Sequence, residues 1–93
     1  METKKTTELV VNLDSIDKVK DFVNLTTACE FTIDVYGQNR RHCVDAKSIM
    51  GIFSLNLSRP VTISVPRIKD TESDIVPATD VQIKELFDKI KNL

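Results

Sequence analysis

Two hydrophobic periodicities alternate along this chain of 93 residues, and their order restricts its possible folds more than any other feature. Alternation of apolar and polar residues with a period of two is typical of a strand with one buried face. Apolar residues spaced by three and four are typical of an amphipathic helix. The patterns follow one another in the order β-α-β-β-α-β-α, at residues 7–13, 16–28, 31–36, 40–45, 48–57, 61–65 and from 79 onward.

Capping and turn residues lie at the boundaries of these segments. Asp14 and Ser15 supply helix-capping side chains before the first helical pattern, and Thr79 with Gln82 has the spacing of a capping box. The composition of 37–39 is typical of a hairpin turn. In the first helix, the side chains predicted to face the core are Ile16, Val19, Phe22, Val23 and Thr26.

Together these signals predict an α+β fold in which three helices cover one face of a four-stranded antiparallel sheet, an open-faced β-sandwich. The length allows a single domain spanning residues 1–93. Gly51 lowers the helix propensity of the segment that begins at Ser48, so we expect only one or two turns there. By alternation, the open face of the sheet carries Thr32, Asp34, Tyr36, Thr62 and Ser64.

The composition argues against several classes of protein. Lys and Arg total 13 and Asp and Glu total 14, a net charge of −1, which disfavours a nucleic-acid binder that depends on a basic face. No apolar run approaches the roughly 20 residues of a membrane span, and the N-terminus lacks the apolar region of a secretory signal. Cys29 and Cys43 do not form a disulfide framework and fit a reducing cytosol. We therefore expect a cytoplasmic monomer that binds neither nucleic acid nor membranes.

Little in the sequence predicts catalysis. The one histidine, His42, adjoins Cys43 in a strand pattern, where neighbouring side chains point to opposite faces and cannot readily share a metal ion. No second histidine and no C-x-x-C pair completes a zinc site, and two glycines are too few for a phosphate-binding loop. We expect no enzyme activity, no cofactor and no metal, with His42 at the rim of the hairpin.

The run 44–55, VDAKSIMGIFSL, closely resembles the middle of the histidine-containing phosphocarrier (HPr) family of the bacterial sugar phosphotransferase system. In that family an AKS-[IL]-M-G-[VIL]-x-SL stretch surrounds a regulatory serine. The order of elements fits the same family, so the resemblance extends over about 8–93, although its specific motif is confined to this one run. It implies an HPr-like sandwich and a role linked to phosphoenolpyruvate-dependent sugar uptake.

The chain departs from this family at the phosphoryl acceptor. The family's acceptor histidine lies in a G-[LI]-H-x-R-P motif at the start of the first helix, and Ser15 occupies the matching position here. Asp17 then replaces the arginine and Lys18 the proline. A helix N-terminus favours an anion, whereas Asp14 and Asp17 oppose one. A phosphoserine is also a stable ester, while a carrier needs the labile phosphorus–nitrogen bond. We therefore expect a protein that is not a carrier, with Ser15 as a helix N-cap.

Two functional candidates remain, a single serine and a group of residues beside it. The resemblance implies regulatory phosphorylation of Ser48 by an HPr kinase, and a protein interface at Lys47, Ile49, Met50 and Phe53. Helical spacing favours an exposed Met50, whereas for Ile52 and Phe53 it favours the core. The implied partners are enzyme I, HPr kinase or a catabolite-control regulator. Two alternatives stay open, a carrier that uses Ser15 or His42 as acceptor and a structural relative recruited to an unrelated complex.

Overall fold

The structure is a computed structural model, and it describes residues 6–38, 42–67 and 75–93. Three helices and four strands alternate in the order expected from the periodicities. The elements are β1 (Thr6–Val11), α1 (Ile16–Thr27), β2 (Asp34–Tyr36), β3 (Cys43–Asp45), α2 (Ile49–Phe53), β4 (Val61–Pro66) and α3 (Asp80–Lys91).

The four strands form one antiparallel sheet with the order β1-β4-β2-β3. β1 lies opposite β4 with Val11 facing Val61, β2 lies opposite β4 with Val35 facing Ile63, and β2 pairs with β3. Every neighbouring pair is antiparallel, as predicted. The α+β fold is therefore confirmed and is consistent with an HPr-like open-faced sandwich.

The core lies between one face of the sheet and the three helices. Alternate residues of β4, namely Val61, Ile63 and Val65, are at most 1% exposed, and each such side chain contributes about 1.5–3 kcal/mol by burial. From the helical layer, Phe22 of α1 and Ile52 of α2 are fully buried. α3 contributes the stripe that its periodicity predicted, Ile83, Leu86, Phe87 and Ile90.

A hydroxyl residue caps each helix at its N-terminus. Ser15 accepts a hydrogen bond from the Lys18 backbone N–H, and Ser48 precedes α2 in the same way. Thr79 forms the complete capping box with Gln82 at the start of α3. The caps read from the sequence are therefore confirmed, and they explain where the helices begin.

β2 is shorter than predicted, because part of the segment makes a different contact. The strand begins at Asp34 rather than Phe31, since the Thr32 backbone N–H donates to the Val76 carbonyl and the Val76 N–H donates to the Thr32 hydroxyl. Thr32 therefore belongs to this connection and not to the sheet. The predicted strand 40–45 lies partly outside the described residues, as does the polar segment 66–77, whose bounding prolines indicate a surface loop.

Two predicted orientations are wrong. Ile16, placed on the buried stripe of α1, is 62% exposed because the first residue of the helix projects beyond the sheet-facing layer. Ser64, placed on the open face, is only 4% exposed. The longest helices of the described residues, α1 and α3, have 12 residues each, and none of these helices is long and apolar enough to cross a bilayer.

Candidate functional site

The start of α1 holds Ser15, the residue matched to a phosphoryl acceptor. The chain leaves β1 through Leu13, which is 1% exposed and anchors the turn in the core. Ser15 follows in an extended conformation (φ −139°, ψ 155°), and its Oγ accepts from the Lys18 backbone N–H at 3.1 Å. The hydroxyl thus satisfies one of the free amides of the helix end, as an N-cap does.

Charges beside Ser15 are partly compensated. The Lys18 ammonium lies 3.1 Å from an Asp14 carboxylate oxygen, and its hydrogen bond and charge hold the pKa of Asp14 below its usual value. Asp17 adds a second carboxylate in the first turn. These three side chains therefore carry a net charge of −1, so this helix end is less strongly acidic than the sequence suggested but still disfavours a phosphoryl group.

The start of α2 holds Ser48, which is exposed. The connection from β3 is closed by the Asp45 side chain, which accepts from the Lys47 N–H at 2.9 Å, and by the Ser48 N–H, which donates to the Asp45 carbonyl at 3.0 Å. Ser48 Oγ then accepts from the Gly51 N–H at 3.2 Å. The hydroxyl is accessible to solvent and is held by a single backbone donor.

Gly51 lets α2 lie close to β3. A Cβ added at this position would lie 3.1 Å from Val44 Cβ and 3.2 Å from Ser48 Oγ, closer than side-chain carbons normally approach one another. The short distance between α2 and β3 therefore favours glycine at position 51, because even a methyl group would require Val44 or Ser48 to shift by a few tenths of an ångström. This packing places Ile52 in the core and fixes the direction of its neighbours.

The neighbours of Ile52 form an exposed apolar surface. Met50 is 76% exposed and Phe53 is 42% exposed, whereas Ile49 is half-buried against the core. The expectation that Met50 faces solvent is confirmed. The placement of Phe53 in the core is wrong, since Ile52 is the buried residue of α2 and Phe53, the next residue, lies about 100° further round the helix.

His42 lies at the other end of α2. It immediately precedes β3, and its Nε2 is 3.3 Å from the Oγ of Ser54, the C-cap of α2. The hydroxyl of Ser54 also donates to the Gly51 carbonyl. The ring is exposed at the rim of the β2–β3 hairpin, as expected, but a helix C-terminus offers carbonyl groups rather than the amides that favour phosphate.

Only some of the candidate residues lie at the same end of the sheet. The end of β1 faces the start of β4, and the end of β2 faces the start of β3, so α1 begins at the same end of the sheet at which His42 and Ser54 lie. Ser48 follows the opposite end of β3. Among the described residues, no group of three or more His, Cys, Asp or Glu is arranged to hold a metal ion.

No family model, curated protein or solved structure matches the chain. Function must therefore be inferred from the geometry above and from the motif at 44–55. One feature that the sequence did not indicate is the exposure of Ile16, which adds an apolar side chain beside Ser15. Its position directly after the N-cap could have indicated this exposure, since a residue in the first turn of a helix has fewer neighbours.

Proposed function

We propose that this protein is an HPr-like binding module of the sugar phosphotransferase system that does not carry phosphate. It acts in the cytoplasm by binding enzyme I, an HPr kinase or a catabolite-control regulator through α2. The observation that carries the proposal is the exposure of Met50 and Phe53 beside an accessible Ser48 within the motif at 44–55. The sheet order β1-β4-β2-β3, with helices on one face, supports it.

The absence of carrier activity follows from the chemistry of position 15. The Ser15 hydroxyl accepts from the Lys18 N–H, and a phosphoryl group on it would form a stable ester next to Asp14 and Asp17. His42, the other nucleophile considered, is hydrogen-bonded at the C-cap of α2. Neither side chain offers a nitrogen at a helix N-terminus, where an acceptor would be stabilised.

Binding through α2 follows from the surface that its side chains form. Methionine is flexible and polarisable, and an aromatic side chain supplies a large contact area, so Met50 and Phe53 suit an adaptable protein interface. Lys47 and Ile49 lie on the same short segment, and Lys47 adds a positive charge near the apolar pair. Both side chains are exposed in this chain and are therefore available to a partner.

Regulation would act on Ser48. An HPr kinase would transfer the γ-phosphoryl group of ATP to Ser48 Oγ and release ADP, with the hydroxyl proton passing to the kinase or to solvent. The phosphate would sit where the Gly51 N–H already donates, so α2 would keep its fold. The added negative charge, about −1.5 to −2, would alter the electrostatics beside Met50 and thereby change which partner binds.

Binding is tested with paired substitutions of exposed apolar residues. Met50→Asp and Phe53→Asp should each weaken binding to enzyme I or HPr kinase by about tenfold or more in calorimetric titration, since a charge is placed in a contact. Val81→Asp is the matched control, because Val81 is 67% exposed on α3 and should leave affinity unchanged. Equal affinity for all three variants, or no binding to any of these partners, would contradict the proposal and favour recruitment to an unrelated complex.

Phosphorylation is tested in two reactions. Incubation with phosphoenolpyruvate and enzyme I, beside an ordinary HPr, should leave no label on this chain, neither the acid-labile label of a phosphohistidine nor the acid-stable label of a phosphoserine. If label appears and is lost in His42→Ala or Ser15→Ala, the protein is a carrier and the proposal is wrong. Incubation with HPr kinase and ATP should add one phosphate by mass to the wild type and to Ser54→Ala, but none to Ser48→Ala.

A further inference from the structure

A cleft of about 820 Å³ opens between α1 and α3, on the helical layer and away from α2. One wall is a stripe of α1 that includes Asp21, Leu25 and Ala28, and the other is a stripe of α3 that includes Glu85 and Lys89. The volume lies within the usual range of ligand-binding sites, about 300–1,000 Å³. Neither the sequence motif nor the proposed function uses this surface.

The two walls run in opposite directions. α1 begins near the end of β1, whereas α3 begins near the end of β4, where the Ala78 N–H donates to the Pro66 carbonyl. Because β1 and β4 are antiparallel, the two helices are antiparallel as well. The α3 wall extends from Gln82 to Asn92, which at about 1.5 Å per residue gives a cleft roughly 15 Å long. That length matches about three turns of a third helix.

The floor of the cleft is apolar. Phe31 and Leu86 form its base and are 5% and 4% exposed, while Leu25 and Cys29 are half-buried above them. Burial raises the pKa of the Cys29 thiol, so this side chain behaves as a neutral, apolar part of the lining. An amphipathic partner could bury its apolar stripe here without displacing any charged group from the floor.

The rim of the cleft is acidic. Among the residues that line the cleft, Asp21, Glu30 and Glu85 contribute three carboxylates against the ammonium of Lys89, and the Lys47 ammonium also acts on Cys29. The C-terminal end of α1, which also borders the cleft, has no basic residue in its last turn, so the partial negative charge of its carbonyl groups is not offset from within the helix. An apolar floor below a rim of negative charge is complementary to a ligand with apolar and cationic faces.

We propose that this cleft binds a basic amphipathic helix of a partner protein, which packs between α1 and α3 with its apolar stripe on Leu25 and Cys29. Its lysines or arginines lie against Asp21, Glu30 and Glu85. This mode of recognition, a helix in a groove, uses apolar anchors for affinity and charges for orientation. The inference is independent of the proposed function, since it uses a different surface.

The test uses the full chain and a fluorescein-labelled peptide of about 12 residues, built from leucine and lysine to form about three amphipathic turns. Anisotropy measures its affinity for the wild type, for Glu85→Lys and for Asp88→Lys. The two variants change the net charge equally and lie on the same helix, but Asp88 does not line the cleft. We expect Glu85→Lys to weaken binding about fivefold to tenfold and Asp88→Lys to change it less than twofold.

A second measurement locates the peptide. In an NMR titration with the peptide, changes in amide chemical shift should concentrate in residues 21–31 and 82–93 and not in α2. Equal weakening by both variants, equal binding of a leucine–glutamate peptide, or shift changes centred on α2 would overturn the proposal. So would the absence of saturable binding; if the wild type is then a dimer that Glu85→Lys abolishes, a second copy of the chain is the occupant.

Discussion

A single buried hydroxyl links α1 to the connection between β3 and α2, and its removal is the most direct test of how the candidate site is held. Thr26 is fully buried, and its Oγ1 donates to the Ala46 carbonyl at 3.0 Å and lies 3.1 Å from the Val23 carbonyl. Ala46 is also fully buried and immediately precedes Lys47 and Ser48. Thr26→Val keeps the shape of the side chain and removes the donor.

The magnitude follows from the balance of two effects. Leaving the buried Ala46 carbonyl without its Thr26 donor costs about 1–3 kcal/mol. The added methyl group recovers at most about 0.8 kcal/mol. The net loss should be about 1–2 kcal/mol, and for a domain of this size it lowers the midpoint of thermal unfolding by about 5–10 °C.

Thermal unfolding followed by circular dichroism measures this effect, and Thr27→Val is the control. Thr27 is the next residue of α1 and is exposed, so the same substitution there should change the free energy of unfolding by less than about 0.5 kcal/mol. Hydrogen exchange at the Ser48 and Gly51 amides should also be faster in Thr26→Val. A midpoint for Thr26→Val that equals that of Thr27→Val would refute the assigned role of this hydrogen bond.

Two further predictions concern charge and capping. Burial and the facing carboxylate of Asp45 raise the pKa of Asp34. The contribution of this group to the free energy of unfolding is therefore complete below its unfolded pKa of about 3.9. It is lost as the pH rises through the higher pKa of the folded state. Asp34→Asn should therefore stabilise the protein by about 0.5 kcal/mol at neutral pH and not at about pH 3; an equal change in unfolding midpoint at both pH values would contradict this. Ser15→Ala removes the acceptor of the Lys18 N–H and should cost about 1 kcal/mol, whereas Ser15→Asp, which can still cap, should cost much less. Chemical denaturation measures both Ser15 variants, and equal losses would show that the cap is unimportant.

The order and type of the elements could be predicted because local patterns determine them. The buried stripe of α3 and the alternation of β4 each have one apolar face, and each helix begins at a hydroxyl residue that the sequence displays. The caps at Ser15 and Ser48 required no knowledge of distant residues, since each bonds to an amide three positions along the chain. A sequence directly reveals those features of a fold that depend on residues three or four positions apart.

Other features depended on contacts that no local pattern encodes. β2 is short because Thr32 bonds to Val76, which is 44 positions away. The exposure of Phe53 depends on the closeness of α2 to β3, which the absence of a side chain at Gly51 allows. The acidic cleft depends on α1 and α3 lying side by side, so its rim residues looked like ordinary solvent-facing positions in the sequence.

The role of Ser15 in the fold agrees with the proposed function, in which position 15 is not a phosphoryl acceptor. The residue is exposed, while the core beside it is built by Leu13 and Val19, so position 15 affects stability through its cap alone. Serine is among the preferred N-cap residues, and the stability of the fold therefore does not require an imidazole at this position. The surface of α2 is formed by other residues, so the proposed binding through Met50 and Phe53 does not depend on which side chain occupies position 15.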